Sequence, residues 1–352
     1  MTPVPSVLLR AFLIVGLLLF LGIGLSRGAP VIVPVVEALV VWFVLNATAG
    51  GLRGLPGIGP RLPRWVALVV AALVGLALGL LFVLSAIQTL ASLGPRAQGL
   101  QEAFDPTIAR LAALIGIDAE VLIGRMLDHL GLEAMLRAVV TGLIGLVSHA
   151  GIVAIYVGFL LVDRQFFEAK LALLARDPAR RDRARAVLQR IGAGIEAYLW
   201  IMTRVSALTA TASYLILLAL GIEHAFFLAA SIFILNFIPT IGSILGTVVP
   251  AAFALMQYQA PGPMLAVLAA VGLVQFVIGN ILLPRMAGGS LNISLFVTML
   301  SLFVFGGLWG VTGMFVAMPL TAILVIVLGN FEATRPVAVA LSRAGRIEEP
   351  AA

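Results

Sequence analysis

Neutral polar side chains recur in the most apolar part of this chain, where a polar group needs a partner. The set consists of amides and hydroxyls: Asn236, Thr240, Ser243, Gln275, Asn280, Asn292, Ser294 and Thr298. These groups donate and accept hydrogen bonds without carrying a charge. In apolar surroundings they suit a small neutral solute with several hydroxyl groups, so the sequence predicts that they line a binding or translocation site.

Two ionisable side chains fall inside apolar runs, where a charge is costly and often functional. Glu37 lies in "VVEALVVWF" and His149 lies in "VSHAGIV". A carboxyl group or an imidazole can carry a proton, so both residues are candidates for proton or cation coupling. The alternatives are structural: His149 can hydrogen-bond across a helix interface, and Glu37 can pair with an arginine.

Glycine and proline interrupt two of the apolar segments at related spacings. The residues are Pro239, Gly242, Gly246 and Pro250 in "ILNFIPTIGSILGTVVP", and Gly306, Gly310, Gly313 and Pro319 in "FGGLWGVTGMFVAMP". Proline removes a backbone donor and glycine loosens a helix, so both segments are predicted to be broken helices. Paired interrupted segments of this kind point to a transporter's binding site. The alternative is close helix packing, which small residues four apart also favour.

The composition indicates that helices position these residues in a lipid bilayer. Of 352 residues, 62% are hydrophobic and 11% are charged, and the mean hydropathy is +1.15, whereas soluble proteins carry about 25% charged residues. A helix needs about 20 residues to cross the hydrocarbon core. The expected fold is an all-α polytopic membrane protein with about eight spans, at residues 7–26, 29–50, 65–92, 138–162, 205–222, 225–256, 263–284 and 290–330.

Two apolar stretches are too long for a single straight crossing. As helices, residues 225–256 would extend roughly 48 Å and the uncharged residues 286–331 roughly 69 Å. Both are predicted to fold as broken helices or re-entrant hairpins, whose backbone must be buried in protein or line a wet cavity. The sequence leaves open whether residues 290–330 form one broken span or a span followed by a re-entrant hairpin.

The placement of arginine predicts the topology. With the N-terminus inside, 16 of the 22 basic residues fall on the inner side and 6 on the outer side, as the positive-inside rule requires. Both termini are then cytoplasmic, and the first span is expected to be retained rather than cleaved as a signal peptide. Residues 1–92 form the N-terminal helices, and residues 331–352 form a cytoplasmic tail.

Two polar inserts flank the span at 138–162, one before it and one after it. Residues 93–137 are expected to form short amphipathic helices on the outer face, with Asp105 and Asp118 as N-caps. Residues 163–204 are rich in arginine and carry an apolar stripe, so they are expected to form a basic amphipathic helix on the cytoplasmic side. Such a helix either lies against anionic lipid headgroups or connects the spans through solvent.

Motifs of several enzyme classes are absent from the sequence. It contains no G-x4-G-K-[ST] phosphate loop, no H-E-x-x-H zinc motif, no G-x-S-x-G nucleophile motif and no cysteine. We therefore expect neither an enzyme nor a metal or organic cofactor, and any energy input would come from an ion gradient. The formal net charge of +6 reports topology rather than nucleic-acid binding.

The interrupted segments resemble those of a known family. "FILNFIPTIGSILGTVVPAAFAL" and "GNILLPRMAGGSLNISLFVTMLSLFVFGGLWGVTGMFVAMPL" are similar to the autoinducer-2 exporter family of bacterial membrane proteins, and "FLLVDRQFF" is similar to that family's exit from its fourth span. The resemblance implies about eight spans, homo-oligomers in the inner membrane and export of small molecules. Members of the family are associated with the quorum-sensing signal autoinducer-2, and others with exchange of sodium or lithium for protons.

Three hypotheses about function follow. The first is a secondary transporter or facilitator that exports a small polar solute through the helices of residues 205–330. The second is a sodium or lithium antiporter driven by protons, although carboxylates in the spans are scarce. The third is an oligomeric scaffold without transport, in which the glycines serve packing alone. The expected partners are a small polar solute, protons or sodium, the lipid bilayer and other copies of the chain, but no nucleic acid.

Overall fold

The computed structural model is almost entirely helical over the residues that it describes, which are 6–54, 62–115, 132–148, 150–163, 166–174, 177–287, 293–343 and 345. The helices are α1 (Ser6–Arg27), α2 (Ala29–Arg53), α3 (Arg64–Ile115), α4 (Leu132–Ser148), α5 (Ala150–Asp163), α6 (Phe167–Leu174), α7 (Pro178–Ala219), α8 (Ala225–Leu235), α9 (Ile241–Tyr258), α10 (Pro261–Val277), α11 (Leu283–Ala287), α12 (Leu295–Gly329) and α13 (Arg335–Leu341). A π-helical segment, Ile278–Leu282, joins α10 to α11.

Seven helices in the described part of the chain are long and apolar enough to cross a bilayer. They are Ala29–Arg53, Arg64–Leu93, Leu136–Asp163, Pro178–Ala219, Ile241–Tyr258, Pro261–Met286 and Leu295–Gly329. The apolar helices Val15–Arg27 and Ala225–Leu235 are shorter. A helix pairs its backbone groups internally, as lipid requires, and apolar runs of this length are typical of membrane-spanning helices. The predicted all-α polytopic membrane fold is confirmed, whereas the count of eight spans stays a prediction.

The chain divides into two compact units that alternate along the sequence. The first unit comprises residues 1–43, 149–195 and 292–352, and the second comprises residues 44–148 and 196–291. In the first unit, α12 packs against α1 and α13. In the second unit, α9 packs against α3, α8 and α10, and α3 also packs against α4 and α8. The first interrupted segment therefore lies at the centre of the second unit.

Aromatic rings fill the interior of the second unit, while apolar side chains elsewhere point outward. Phe82 of α3 stacks on Phe227 of α8 with ring centroids 5.3 Å apart, and Phe227 and Phe253 are each 1% exposed. By contrast, Phe20 of α1 is 77% exposed and Phe303 of α12 is 70% exposed. Large apolar side chains on an outer surface fit helices that contact lipid tails instead of water.

Helix α7 is continuous over 42 residues, Pro178–Ala219. Its length is about 63 Å, roughly twice the hydrocarbon thickness of a bilayer. The first half carries the arginines, of which Arg180, Arg183 and Arg185 are exposed, and the second half is apolar. The predicted boundary near residue 204 therefore falls inside one helix. Both predicted placements of the basic half, against lipid headgroups or through solvent, stay predictions.

Helix α3 is also longer than predicted, with 52 residues from Arg64 to Ile115. It continues through Asp105, where the sequence predicted the N-cap of a new helix, so that prediction is wrong. The neighbouring residues are mostly leucine, glutamine, glutamate, alanine and arginine, whose helix propensity outweighs the local capping signal. The other predicted N-cap, Asp118, lies outside the described residues.

Candidate functional site

The first interrupted segment forms a helical hairpin in the second unit. Helix α8 ends at Leu235, the chain turns through residues 236–240, and α9 begins at Ile241. Pro239 lies in this turn, where it cannot donate a backbone hydrogen bond and so prevents α8 from continuing. The predicted site residues Asn236, Pro239 and Thr240 therefore all lie in the turn between two packed helices.

Thr240 has an unusual backbone conformation, with φ 63° and ψ −58°. The Ile241 N–H donates to the Pro239 carbonyl over 2.7 Å. Together these features define a γ-turn with positive φ at its central residue, which is a rare and strained form. A β-branched residue adds to the strain, since its side chain disfavours positive φ. Such strain costs about 1–3 kcal/mol and concentrates at functional sites.

The turn pairs most of its own backbone N–H groups, which helps a helix break to lie in apolar surroundings. The N–H groups of Phe237, Ile238 and Gly242 donate to carbonyls three or four residues earlier, over 2.8 to 3.2 Å. The hairpin can therefore sit in apolar surroundings with these donors paired. The side chains of the turn then supply further groups for hydrogen bonds to a ligand.

Gly242 allows the two helices of the hairpin to touch. A β carbon at this position would overlap the backbone carbonyl of Leu235 at the end of α8, and it would lie 3.2 Å from the backbone nitrogen of Asn236. Only glycine permits one backbone to approach another this closely. In the structure, Gly242 therefore closes the hairpin that carries Asn236.

Gly246, one turn further along α9, makes room for a side chain of α10. A β carbon there would lie 2.7 Å from Nε2 of Gln275 and 3.4 Å from Cγ1 of Ile232. The Gln275 amide therefore rests on the bare backbone of α9, next to α8. Because Gly242 and Gly246 lie four residues apart on one helical face, Asn236 and the Gln275 amide meet α9 about one turn apart.

Asn236 and Gln275 are predicted site residues, and each has a buried polar atom without a hydrogen-bond partner in the described part of the chain. They are 8% and 7% exposed, and neither Oδ1 of Asn236 nor Nε2 of Gln275 has a hydrogen-bond partner among the described residues. Each such group costs about 1–3 kcal/mol. Oδ1 of Asn236 is an acceptor and Nε2 of Gln275 is a donor, so the two groups together call for one donor and one acceptor from elsewhere.

Pro250 lies inside α9 and is buried. Because proline has no N–H, the carbonyl of Gly246, four residues earlier, loses the donor that a regular helix would supply. This carbonyl lies on the stretch of α9 that the Gln275 amide covers. The Gly246 carbonyl therefore lacks its regular helical donor on the helix that the Gln275 amide contacts.

Asn280 lies in the π-helical segment, and its side chain is exposed. Its Nδ2 donates to the Phe276 carbonyl over 3.1 Å. A π-helical segment shifts the backbone hydrogen-bond register, and the amide pairs with a carbonyl at that shift. In the structure, the Asn280 side chain therefore bonds to the backbone one turn earlier, outside the hairpin turn of residues 236–240.

The second interrupted segment lies in the first unit, inside α12. The chain leaves helical geometry at residues 309–310, where Gly310 has φ 62° and ψ −143°, a conformation open almost only to glycine. A β carbon at Gly313 would overlap the backbone carbonyl of Phe305. The first hairpin has the same arrangement, in which a glycine after the break touches a carbonyl before it.

Gly306 and Pro319 flank this second break, and Trp309 ties it to α1. A β carbon at Gly306 would lie 2.9 Å from Cε of Met314, and Pro319 is buried in the second part of α12. The Trp309 indole donates through Nε1 to the Leu25 carbonyl over 3.0 Å. That carbonyl belongs to the last turn of α1, where carbonyls lack helical donors. The indole therefore caps α1 at the position of the break.

Glu37 is the predicted coupling residue that the structure describes. It lies in α2, three residues after Pro34, and is 8% exposed. The other predicted coupling residue, His149, and the predicted lining residue Asn292 lie outside the described residues. Within the described part of the chain, no group of three histidine, aspartate or glutamate side chains could hold a metal ion.

Sequence analysis missed a group of buried hydroxyls on α7. Ser206, Thr209 and Ser213 are 0% exposed, and Tyr198 is 8% exposed. A spacing of three and then four residues places the serines and the threonine on one helical face. That spacing is the signal in the sequence that could have identified them.

The sequence matches one family model and several named proteins. The model of the AI-2E family transporter matches residues 10–333. The chain is 29% identical over 345 residues to the AI-2 transport protein TqsA of Escherichia coli, and this match covers 95% of the chain and 96% of that protein.

Two other relatives match over part of their length. The chain is 34% identical over 192 residues to a protein of Borreliella burgdorferi named as a transport protein, covering 53% of this chain and 52% of the relative. It is 31% identical over 202 residues to a protein of Escherichia coli named as transport protein YhhT, covering 56% and 57%. With a family match over nearly its whole length and a polytopic helical fold, the chain belongs to the AI-2E transporter family.

Proposed function

We propose that this chain is a transporter or facilitator, not driven by ATP, that exports a small neutral solute bearing hydroxyl groups. Membership of a transporter family supports transport. The observation that supports a neutral solute is the buried acceptor and donor of Asn236 and Gln275, which lack partners in the described part of the chain. One relative is named an AI-2 transport protein, so autoinducer-2 is the first solute to test.

The hairpin supplies both binding and selectivity in this proposal. A solute hydroxyl replaces the missing partners of Asn236 and Gln275, so binding recovers the cost of leaving both groups unsatisfied. Two amides can pair with a neutral solute, but they offer no countercharge to an ion. The strained γ-turn at Thr240 makes the hairpin turn the element most ready to change conformation during transport.

Replacing Gln275 with leucine is expected to lower solute efflux about tenfold, which corresponds to the loss of one hydrogen bond of about 1.4 kcal/mol. The protein should be equally stable or more stable, because the change removes a buried donor that has no partner among the described residues. Efflux of labelled autoinducer-2 from proteoliposomes and the midpoint of thermal unfolding measure the two effects.

The matched control is Asn280→Leu, which removes an exposed amide whose donor bonds to the backbone. Its efflux should stay within about twofold of the wild type, because this amide has no role in the proposed site. An equal loss in both variants would contradict the assignment of the site to the hairpin. Absence of efflux from wild-type liposomes would favour the scaffold hypothesis instead.

Glu37 favours a second candidate function, the exchange of sodium or lithium for protons. A carboxyl group that is 8% exposed within a candidate span is a suspect for ion coupling. A sodium or lithium gradient across proteoliposomes should then evoke a proton flux, recorded by a pH-sensitive dye, that Glu37→Gln abolishes. Glu196→Gln, which changes an exposed carboxyl on α7, is the control. Absence of proton flux with either cation, together with efflux of the neutral solute, would reject antiport.

We also place both termini on the cytoplasmic side of a bacterial inner membrane, with copies of the chain associating there. The support is the arginine placement, since 16 of 22 basic residues then lie inside. A water-soluble thiol probe should label Asp182→Cys only when the cytoplasmic face is accessible. Labelling from the outer face would refute the topology, and a monomeric mass in mild detergent would refute the association.

A further inference from the structure

Three hydroxyls on α7 are buried and lack hydrogen-bond partners in the described residues. They belong to Tyr198, Ser206 and Ser213, of which the two serines are 0% exposed. Serine and threonine in a helix commonly bond to the carbonyl four residues earlier. Thr209, between the two serines, does so through the Val205 carbonyl over 2.8 Å. The two serine hydroxyls therefore differ from the Thr209 hydroxyl, because neither donates to a backbone carbonyl of the described residues.

The three hydroxyls share one face of α7 within the second unit. Helical spacing places Tyr198, Ser206 and Ser213 on the same side. The opposite side carries Leu208 and Leu215, which are 50% and 59% exposed, as expected of side chains that contact lipid. Tyr198 and Ser213 are separated by about 22 Å along the axis, which covers most of a hydrocarbon core of about 30 Å.

This face carries no formal charge along that length. Arg204, the one basic residue of α7 between Tyr198 and Ser213, lies over the Trp200 ring with Cζ 4.2 Å from the centroid. Helical spacing directs Arg204 away from the face that carries the hydroxyls. A row of hydroxyls without a countercharge suits water and neutral hydroxyl-bearing solutes, and it disfavours ions.

We propose that Tyr198, Ser206 and Ser213 line a hydrated path for the neutral solute along the buried face of α7. This inference rests on the proposed export function, and it adds a second set of contacts to the Asn236 and Gln275 pair. The hydroxyls act as alternating donors and acceptors for water and solute at intervals along the span. A dry interface, in which the serines only permit close packing of α7, is the competing explanation.

The chain contains no cysteine, so a single introduced cysteine reports on one position alone. Ser206→Cys and Ser213→Cys replace a hydroxyl with a thiol of similar size. Leu208→Cys and Leu215→Cys are matched controls at similar depth on the lipid-facing side. The probe is aminoethyl methanethiosulfonate, applied to each variant in proteoliposomes, because it modifies the thiolate form that water permits.

The serine positions should react at least about tenfold faster than the leucine positions, because only water-exposed thiols ionise readily. Equal or slower modification at Ser206→Cys and Ser213→Cys would overturn the hydrated path and establish the dry interface. The reaction needs no transported solute. Fast labelling without any solute efflux would therefore retain the path and reject the export proposal, whereas efflux without labelling would do the reverse.

Alanine variants provide a second test, because loss of efflux without loss of thermal stability is not expected if the hydroxyls serve only packing. Ser206→Ala and Ser213→Ala remove hydroxyls that have no partner in the described part of the chain. The midpoint of thermal unfolding should therefore stay the same or rise, while solute efflux falls several-fold. Unchanged efflux in both variants, or a clear loss of thermal stability, would contradict the proposal. Thr209→Val is the control for a hydroxyl that the protein already uses.

Discussion

Replacing Gly242 with alanine is expected to prevent the α8–α9 hairpin from closing. The added β carbon would overlap the Leu235 carbonyl, which belongs to the backbone and cannot rotate away as a side chain can. Overpacking in a core costs about 1–3 kcal/mol even where side chains can adjust. A backbone collision should exceed that range, so we expect little folded protein to accumulate.

The matched control for this prediction is Gly272→Ala in α10. A β carbon at Gly272 would lie 3.5 Å from Cγ2 of Thr247, which is an ordinary contact. The yield of monodisperse protein and the midpoint of thermal unfolding distinguish the two variants. Comparable stability of Gly242→Ala and Gly272→Ala would show that the two helices do not approach as closely as described.

Replacing Gly310 with alanine is expected to strain the break in α12. Among the described residues, no atom would lie within 4 Å of a β carbon at Gly310, so steric contact is not the cause. The cause is the backbone, because φ 62° and ψ −143° suit glycine alone. Strain of this kind costs about 1–3 kcal/mol. The thermal midpoint should fall, unless the helix straightens and loses the Trp309 contact with Leu25.

Gly307→Ala is the control for Gly310, since its β carbon would also meet no atom within 4 Å and its φ is not positive. It should match the wild type in thermal midpoint. Tryptophan fluorescence of both variants reports on whether Trp309 keeps its position. A normal midpoint and an unchanged spectrum for Gly310→Ala would refute the glycine-only conformation at this break.

The locations of the two breaks could be predicted from the sequence, because proline and glycine act locally. Pro239 lacks a backbone donor, so a break or kink near it could be expected without knowledge of packing, whereas Pro250 and Pro319 lie inside helices that continue past them. The partner of Gly246 could not be predicted in the same way. Gln275 reaches Gly246 from another helix, and the choice of neighbouring helix depends on packing that a single sequence does not reveal.

The hydrogen bond from the Asn280 amide to the Phe276 carbonyl could not be predicted from the sequence either, and the role of Asn280 as a lining residue stays a prediction. No residue pattern marks a π-helical segment, so an amide that bonds to a backbone carbonyl there looks like any other polar residue in a span. The predicted boundary near residue 204 rested on a change in composition. Helix propensity does not change there, and α7 continues through it.

The uninterrupted course of α7 has a mechanical consequence. Within the second unit, the part of α7 that carries Ser206, Thr209 and Ser213 contains no proline and no glycine. The main-chain spacing between Ser206 and Ser213 is therefore held at about 10 Å by regular helical geometry. A movement of this part of the helix would displace both serine side chains together, because neither can change its position without the other.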